Sequence, residues 1–526
     1  MASIGVINAD TPKTQEPKNT TARPKKIYFG VFFDGTGNNM IQAEVAKNYR
    51  AKMQSNKKDD GWDLRLNSNL NVYGANSLTI KGLNKDGAKL LSKEEQNDIS
   101  TQGSGYSNVA ILHGVYQGMS KEQLNQEKQS HDVYKYNIYV EGVGTKTINE
   151  GIPDLYNQGV ATGDTGVVAL VSKAVMMVNY IVQSFKANSP ELHFNILGFS
   201  RGATCARLFA FLVARNGAAF GAEKEFGSFQ AKSLYKDKHL KFLEENEFNN
   251  KTVDFLGIYD TVSSIGINHD KDVIDYGLYS PTLSIVKNTF HLCALDEFRE
   301  NFRLTDIGSA ANRGSNAEVF IPGCHSDVGG TYQLQSDDFT LVYLSSALSK
   351  TKIFVSNPHS KNGGTAVVDA ESLVNLGWAK SKKDVSSDLR NYTLGYITCT
   401  RKKILGGYSN IPLKMMAKRA SDKSQHTMFA AFPAKRFDIP LKLKDLGEEM
   451  MRIANSAKGR KWFFPSGSYT SDQYKFLRGN FLHFSATDAI GENVVNGPSR
   501  LGSTICRQVY YGNRSVGKPK YLCDYS

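Results

Sequence analysis

The chain has 526 residues, 22% charged and 40% hydrophobic, with 46 glycines and 14 prolines, ordinary globular usage that excludes a mostly disordered chain. Mean hydropathy is −0.38, and the most apolar run, 166–182, is broken by Lys173 and Asn179, so no stretch supplies the roughly 20 apolar residues of a membrane-spanning helix. Of the formal net charge of +13, nearly all sits between Ala379 and Trp462, where 19 Lys and Arg face 7 Asp and Glu; this points to an anionic partner, membrane or nucleic acid, with a merely solvated surface as the alternative.

Residues 1–24 are rich in Thr, Lys, Asn and Pro, have no apolar h-region and read as a flexible leader without a secretory signal. A protein made in the cytoplasm in this way needs another route out. Lys26–Phe33, apolar and aromatic, predicts a buried strand that stops at the turn formers Asp34-Gly-Thr-Gly-Asn-Asn39. Residues 41–105 are polar and read as an insertion, and 107–119 read as a helix. Tyr134–Val140 is a second strand ending in Glu141-Gly-Val-Gly-Thr145. Val167, Leu170, Val171, Ala174, Val178 and Ile181 then fall on one helical face. Leu192–Leu197, Thr252–Tyr259 and Glu318–Pro322 are further strands, with a helix over Ala203–Arg215 after the first of them.

Strands alternating with helices predict an α/β fold, a mostly parallel sheet with helices on both faces, whose sites lie at the carboxyl ends of strands. The core is expected over 25–345. Residues 346–470, basic with interleaved apolar groups, are expected to be a membrane-docking or cap module, and 471–526 to close the fold with short strands. Within the basic segment Leu443, Leu446, Met450 and Ile453 stand at helical spacing. Such a stripe either lies on a membrane or packs on a core.

Gly198-Phe199-Ser200-Arg201-Gly202 is a G-x-S-x-G motif. Chance alone yields about 0.3 such matches in a chain of this length and glycine content, so the setting decides. Here the motif follows a buried strand and opens a helix, as a nucleophile elbow requires. Gly198 and Gly202 relieve crowding at the tight turn, and the N–H of Arg201 is placed to stabilise a developing oxyanion. A serine at neutral pH needs a base, and the hydrolase chain order is serine, acid, histidine. His113, His131, His193 and His239 are thereby disfavoured. His325, at a predicted strand end in Gly323-Cys-His-Ser-Asp-Val-Gly-Gly330, fits best. His269, His291, His359 and His426 are weaker candidates, and His483 is the rival.

Asp260 ends the strand Phe255–Tyr259 and is the expected acid, ahead of Asp254, Asp296, Glu297 and Asp327. Asp254 would point to a sheet face, and Asp296 and Glu297 are expected on a helix. Asp327 is read as a hydrogen-bonded turn residue in preference to a metal ligand. Gly35 and Thr36, after the first strand, are expected to supply the second oxyanion N–H. The chemistry needs no metal and no cofactor. Gly142-Val-Gly-Thr145 lacks the ending of a phosphate loop, which excludes nucleotide binding there. Six scattered cysteines without a C-x-x-C pair argue against zinc and disulfides.

Gly198-Phe-Ser-Arg-Gly-Ala203, Phe33-Asp-Gly-Thr-Gly-Asn38, Tyr139-Val-Glu-Gly-Val-Gly-Thr145, Tyr259-Asp-Thr-Val262 and His325-Ser-Asp-Val-Gly-Gly330 together resemble the first family of type VI secretion lipase effectors, bacterial α/β-hydrolases. The resemblance covers about 26–335 and continues weakly in Leu477–Ser485 and Arg507-Gln-Val-Tyr-Tyr-Gly512. It implies an antibacterial phospholipase A carried by a secretion spike protein into the periplasm of a neighbouring cell, where it attacks membrane phospholipid. It also implies an immunity protein guarding the producer, and a triad on Ser200, Asp260 and His325. The alternatives are a soluble esterase, thioesterase or peptidase of the same fold, or a non-enzymatic basic binding protein. No nucleic-acid recognition motif supports the last.

Overall fold

Alternate residues of the first strand part to opposite sides of a sheet. In β1 (Lys26–Phe33), Ile27, Phe29, Val31 and Phe33 enter one apolar cluster and Phe32 the other, as in a strand buried on both faces. The computed structural model describes residues 25–40, 43, 72–74, 106–118, 132–145, 165–183, 185, 190–214, 251–263, 286–299, 302–311, 313–332, 351–355, 370–388, 396–401, 404–424, 428–432, 437–464, 471–485, 500–501, 504–505, 507–510 and 520–522. The expected leader and most of the expected 41–105 insertion lie outside them, as do His131, His239, His269, His359 and His426.

Further strands are β2 (Val72–Gly74), β3 (Val133–Val140), β4 (Glu191–Phe199), β5 (Lys251–Tyr259), β6 (Thr289–Ala294), the two-residue β7 (Leu304–Thr305) and β8 (Ala317–Ile321). Next come β9 (Thr351–Val355), β10 (Val385–Asp388), β11 (Tyr396–Arg401) and β12 (Gly459–Trp462), then β13 (Arg500–Leu501), β14 (Thr504–Ile505), β15 (Arg507–Tyr510) and β16 (Lys520–Leu522). Eight form one sheet in the order β12-β8-β6-β5-β4-β1-β3-β2, with every pairing parallel. The strands β9 to β11 make a separate antiparallel sheet, and β15 pairs with β16 and, in parallel, with β7.

The helices used below are α1 (Asn108–Val115), α2 (Val167–Gln183), α3 (Arg201–Ala214), α4 (His325–Gly329), α5 (Asn410–Lys423), α6 (Lys444–Ser456) and α7 (Asp472–Asn480). α2 and α3 cover one sheet face, and α1, α5, α6 and α7 contribute to the cluster on the other. The fold class is the one expected.

Several details differ from the sequence reading. β6 went unforeseen because Thr289 and His291 interrupt its apolar pattern, yet all six residues are buried. The basic sequence of β12 hides an edge strand. Asp296 and Glu297 lie in the turn after β6 and not on a helix. Residues 472–480 are helical, begun by Ser471, whose side chain accepts from the Tyr474 N–H.

The stripe on α6 packs inward. Leu443, Leu446 and Met450 are buried, and Ile453 is half-buried against the same core. Its solvent face carries Lys444, Asp445, Glu448, Glu449 and Arg452, of mixed sign. The membrane alternative for this helix therefore gives way to core packing. Part of the basic surplus is also spent inside. Arg419 of α5 is buried and donates to the carbonyls of Ala454, Asn455, Ala457 and Ser315, tying the end of α6 to the loop before β8. A cation at the carboxyl end of a helix satisfies its orphan carbonyls. Among the described residues, no helix is long and apolar enough to cross a membrane.

Candidate active site

Ser200 forms the turn between β4 and α3 with φ of 59°. Its N–H donates to the Tyr259 carbonyl (3.1 Å) and its own carbonyl accepts from Ala203 N–H (3.0 Å). A left-handed backbone at a residue with a Cβ is strained, and such strain gathers at functional turns. The flanking glycines have no alternative. A Cβ on Gly198 would stand 2.5 Å from the Gly202 carbonyl oxygen, and one on Gly202 would stand 2.2 Å from that of Asp34. These are backbone atoms and cannot step aside.

The second left-handed non-glycine residue is Asp260, φ 43°, at the end of neighbouring β5. Its N–H donates to the Leu292 carbonyl (2.7 Å), and Oδ1 accepts from Ala294 N–H (2.8 Å). His325, the first residue of α4, places Nδ1 2.6 Å from Asp260 Oδ2. A carboxylate only accepts, so Nδ1 carries the proton and Nε2 presents its lone pair. Nε2 is buried and has no hydrogen-bond partner among the described residues. The imidazole lies against Phe199, the residue before Ser200, with ring centroids 4.5 Å apart, and against the edge of Phe302 at 5.0 Å. Thus Asp260 and His325, from β5 and α4, are in direct contact, and Ser200, after β4, is linked to them through its neighbours Phe199 and Tyr259, with no hydrogen bond to His325 Nε2 among the described residues.

Two ion pairs surround the histidine. The guanidinium of Arg507, on β15, grips Asp260 with both Nη atoms, Nη1 to Oδ1 at 2.6 Å and Nη2 to Oδ2 at 2.7 Å. Burial alone would raise the Asp260 carboxyl, but Arg507 and the His325 hydrogen bond hold it well below the usual carboxylate range. Glu297 accepts His325 N–H at 3.1 Å and is bound by Arg299 Nε (2.8 Å) and by the Ser485 hydroxyl (2.8 Å). Arg299 outweighs burial there and brings Glu297 down to about 2. His325 itself is lowered below its ordinary 6.5 by burial, against the opposing pull of Asp260.

The rival histidine has its own acid. His483 Nδ1 lies 2.6 Å from Asp327 Oδ1, its N–H donates to Asp327 Oδ2 at 2.9 Å, and Tyr332 stacks on its ring at 3.8 Å. Asp327 also accepts Cys324 N–H at 3.0 Å. It fixes the start of α4. Among the described residues one buried group, His291, Cys293 and Glu318, brings ligand-type atoms within 4.8 Å of one another. Its imidazole is committed on both sides: Nε2 accepts from Thr261 N–H (3.1 Å), and Nδ1 pairs with Glu318 Oε1 (3.0 Å).

The loop after β1 lies against the elbow. Arg201 Nε donates to Thr36 Oγ1 at 2.7 Å, and a Cβ on Gly35 would meet Phe199 Cδ1 at 2.4 Å. Gly35 N–H is turned onto Asp34 Oδ1 at 2.8 Å, so it faces away from an oxyanion role. Asp34 is buried and also receives the hydroxyls of Ser107 (2.5 Å) and Tyr139 (2.5 Å). Burial outweighs these bonds and raises its carboxyl to about 6. The 141–145 motif is the backing of this loop. Gly142 N–H donates to Asn38 O at 2.8 Å, and a Cβ on Gly142 would stand 1.6 Å from Gly35 O.

Arg507, Arg299 and the Asp34 network were not foreseen as parts of the site. The one trace of Arg507 in the sequence is a charged residue opening the run Arg507–Gly512, which carries no spacing signal toward Asp260.

A family model for the catalytic domain of Tle1-like phospholipase effectors of the type VI secretion system matches residues 86–349, half of the chain. That stretch holds Ser200, Asp260 and His325 and stops short of Arg507. Among solved structures, a Tle1 effector bound to the VgrG spike of a type 6 secretion system aligns with a TM-score of 0.52 and 19% identity, over 97% of this chain and 98% of that one; the likeness is one of fold. An uncharacterized protein from Pseudomonas aeruginosa aligns with a TM-score of 0.34 and 16% identity, over 82% of this chain and 50% of that one. No curated protein matches the chain. With the family model matched over half of its length and the elbow inside that stretch, the chain belongs to the Tle1-like family of type VI secretion phospholipase effectors.

Proposed function

We propose that this phospholipase effector is a serine hydrolase of the A type, cleaving a fatty-acyl ester of membrane phospholipid with Ser200 as nucleophile, His325 as base and Asp260 as its orienting acid. The observation that carries this reading is the His325–Asp260 pair, with Nδ1 held at 2.6 Å and Nε2 left unpartnered among the described residues, beside a strained serine turn. His325 Nε2 takes the hydroxyl proton as Ser200 Oγ attacks the acyl carbonyl. Asp260 keeps the tautomer and supports the imidazolium. The N–H groups of Arg201 and Thr36 receive the oxyanion. The imidazolium then protonates the departing glycerol oxygen, and water, activated by the same histidine, frees the fatty acid.

The family and the fold support a wider setting for this reading. The aligned effector is bound to a VgrG spike, and the same kind of spike protein is proposed as this chain's carrier into the periplasm of a target cell. A cognate immunity protein protects the producer. The basic segment, 19 Lys and Arg against 7 Asp and Glu, draws the enzyme to anionic lipid, apart from the charges used internally. Binding to vesicles that ignores both lipid charge and salt would remove this last element.

The deciding assay is fatty-acid release from mixed phosphatidylethanolamine/phosphatidylglycerol vesicles with distinguishable chains at sn-1 and sn-2. Wild type is expected to release one chain in preference, and Ser200→Ala to lose at least ~10³-fold in turnover. No release by a folded, vesicle-bound wild type would sink the reading and turn attention to soluble esters. Because burial lowers His325 below 6.5, the acid limb of kcat/KM on a soluble ester is expected to fall below pH 6.5. A limb at pH 7 or higher would argue against His325 as the base.

A further inference from the structure

A triad needs three residues, yet the acid here is held by a fourth that comes from 247 positions further along the chain. Arg507 is buried, and both of its Nη atoms are spent on the two oxygens of Asp260. Nη1 is further fixed by the Ala294 carbonyl and Nη2 by that of Phe302 at 3.3 Å. Neither carboxylate oxygen can rotate without breaking a charge-assisted bond, so the acceptor for His325 Nδ1–H is fixed in space.

We propose that Arg507 is a positioning residue for the esterase reaction: it locks the Asp260 carboxylate in the orientation that holds His325, and its fixed charge offsets the negative charge that would otherwise favour a protonated imidazole. This rests on His325 being the base. The charges around His325 are Asp260 with Arg507 at its Nδ1 and Glu297 with Arg299 at its backbone N–H, with Asp327 on its own helix turned to His483. Each carboxylate beside His325 thus has its own cation. The ring is bordered by two neutral pairs, and acquiring a proton would leave a buried net positive charge. A buried Asp–His pair without the arginine would take up a proton more readily, whichever partner holds it. The arginine therefore extends the free-base state toward acidic pH, at the expense of some stabilisation of the imidazolium formed during turnover.

The test is kcat/KM against pH, from 4 to 8, on a soluble short-chain ester, for the full chain as wild type, Arg507→Met and Arg507→Lys, with His325→Ala alongside. Arg507→Met is expected to move the acid limb up by about one pH unit and to lower kcat. Arg507→Lys keeps the charge and loses the two-pronged geometry, so its limb is expected to stay near that of wild type while kcat falls about 10-fold or more. Equal losses in both variants with an unmoved limb, or full kcat in Arg507→Lys, would overturn the proposal. If Arg507→Met does not fold, the lysine variant decides alone: a limb displaced upward, or an unchanged kcat, overturns it. Turnover retained by His325→Ala would remove the base assignment and this proposal with it. Turnover lost by His325→Ala, with the arginine variants failing as described, removes this proposal only.

Discussion

Two glycines separate the demands of space from those of backbone conformation. Gly202 has ordinary φ but no room, since a Cβ would collide with the Asp34 and Phe33 carbonyls at 2.2 and 2.5 Å. Gly37 has φ of 72° and open space around it. Gly202→Ala is expected to cost about 2–4 kcal/mol and to abolish labelling of Ser200 by a fluorophosphonate. Gly37→Ala is expected to cost only about 1 kcal/mol and to label normally. Asp34 gives a prediction with a definite sign. Its folded carboxyl titrates near 6, above the unfolded value of 3.8, so the native state holds the proton more tightly. Its contribution is full below about pH 4 and is lost as pH rises through 6, about 3 kcal/mol in all. Urea unfolding at pH 4.5 and 7.5 is expected to show Asp34→Asn gaining on wild type at the higher pH. An equal difference at both pH values would count against the raised carboxyl. The crowding at Gly202 was legible beforehand from the elbow motif, and the environment of Asp34 was not. The sequence marks Asp34 as a turn former, and only its complete burial in the fold, against the hydrogen bonds of Ser107, Tyr139 and Gly35, makes the carboxyl unusual.

At the scale of elements, the strands expected between Lys26 and Pro322 were readable, and β6 and β12 were not. Lys26–Phe33 and Thr252–Tyr259 are mostly apolar runs, as a strand buried on both faces tends to be, and both are strands, the second from Lys251. β12, Gly459-Arg-Lys-Trp462, reads as solvated charge because its arginine is matched by carboxylates from other elements. Arg460 Nε bonds Glu318 at 2.7 Å, and its Nη2 bonds Asp306. Hydropathy cannot register a charge neutralised by a residue more than a hundred positions away. Nor can it register the backbone carbonyls that satisfy Arg419. Arg419→Met would leave four carbonyls without their donor and is expected to cost about 3 kcal/mol or more, with a fall in Tm. Arg452→Ala, on the exposed side of α6, is expected to change stability by less than about 0.5 kcal/mol.

At the scale of the whole molecule, the strained turn at Ser200 and the pairing of His325 with Asp260 were legible because a tight turn and a strand-end carboxylate–imidazole contact call for particular residue types locally. The setting of those residues was not. Asp260 is completed by Arg507, Glu297 by Ser485, and Asp296 by Arg478 and Tyr474. The carboxyl-terminal residues thus furnish two cations, Arg507 and Arg478, and two hydroxyl donors, Ser485 and Tyr474, to carboxylates from the middle of the chain. Truncation after residue 499 is expected to lower ester turnover at least ~100-fold, since a buried carboxylate deprived of its cation costs about 3–5 kcal/mol. Retention of wild-type turnover by a folded truncated protein would contradict that dependence.

The parallel pairing of β8 with β12 also has a consequence for the making of the protein. β8 ends at Ile321 and its outer neighbour begins at Gly459. At the usual rates of synthesis this separation is roughly 7–28 s, during which the N–H and C=O groups along one side of β8 await their partner. Ribosomes following one another on the same message would hold several such nascent sheets close together, each offering the same vacant border as a template for strand addition. Slowing elongation between codons 321 and 459 is therefore expected to increase aggregation of the newborn chain more than the same slowing placed after codon 462.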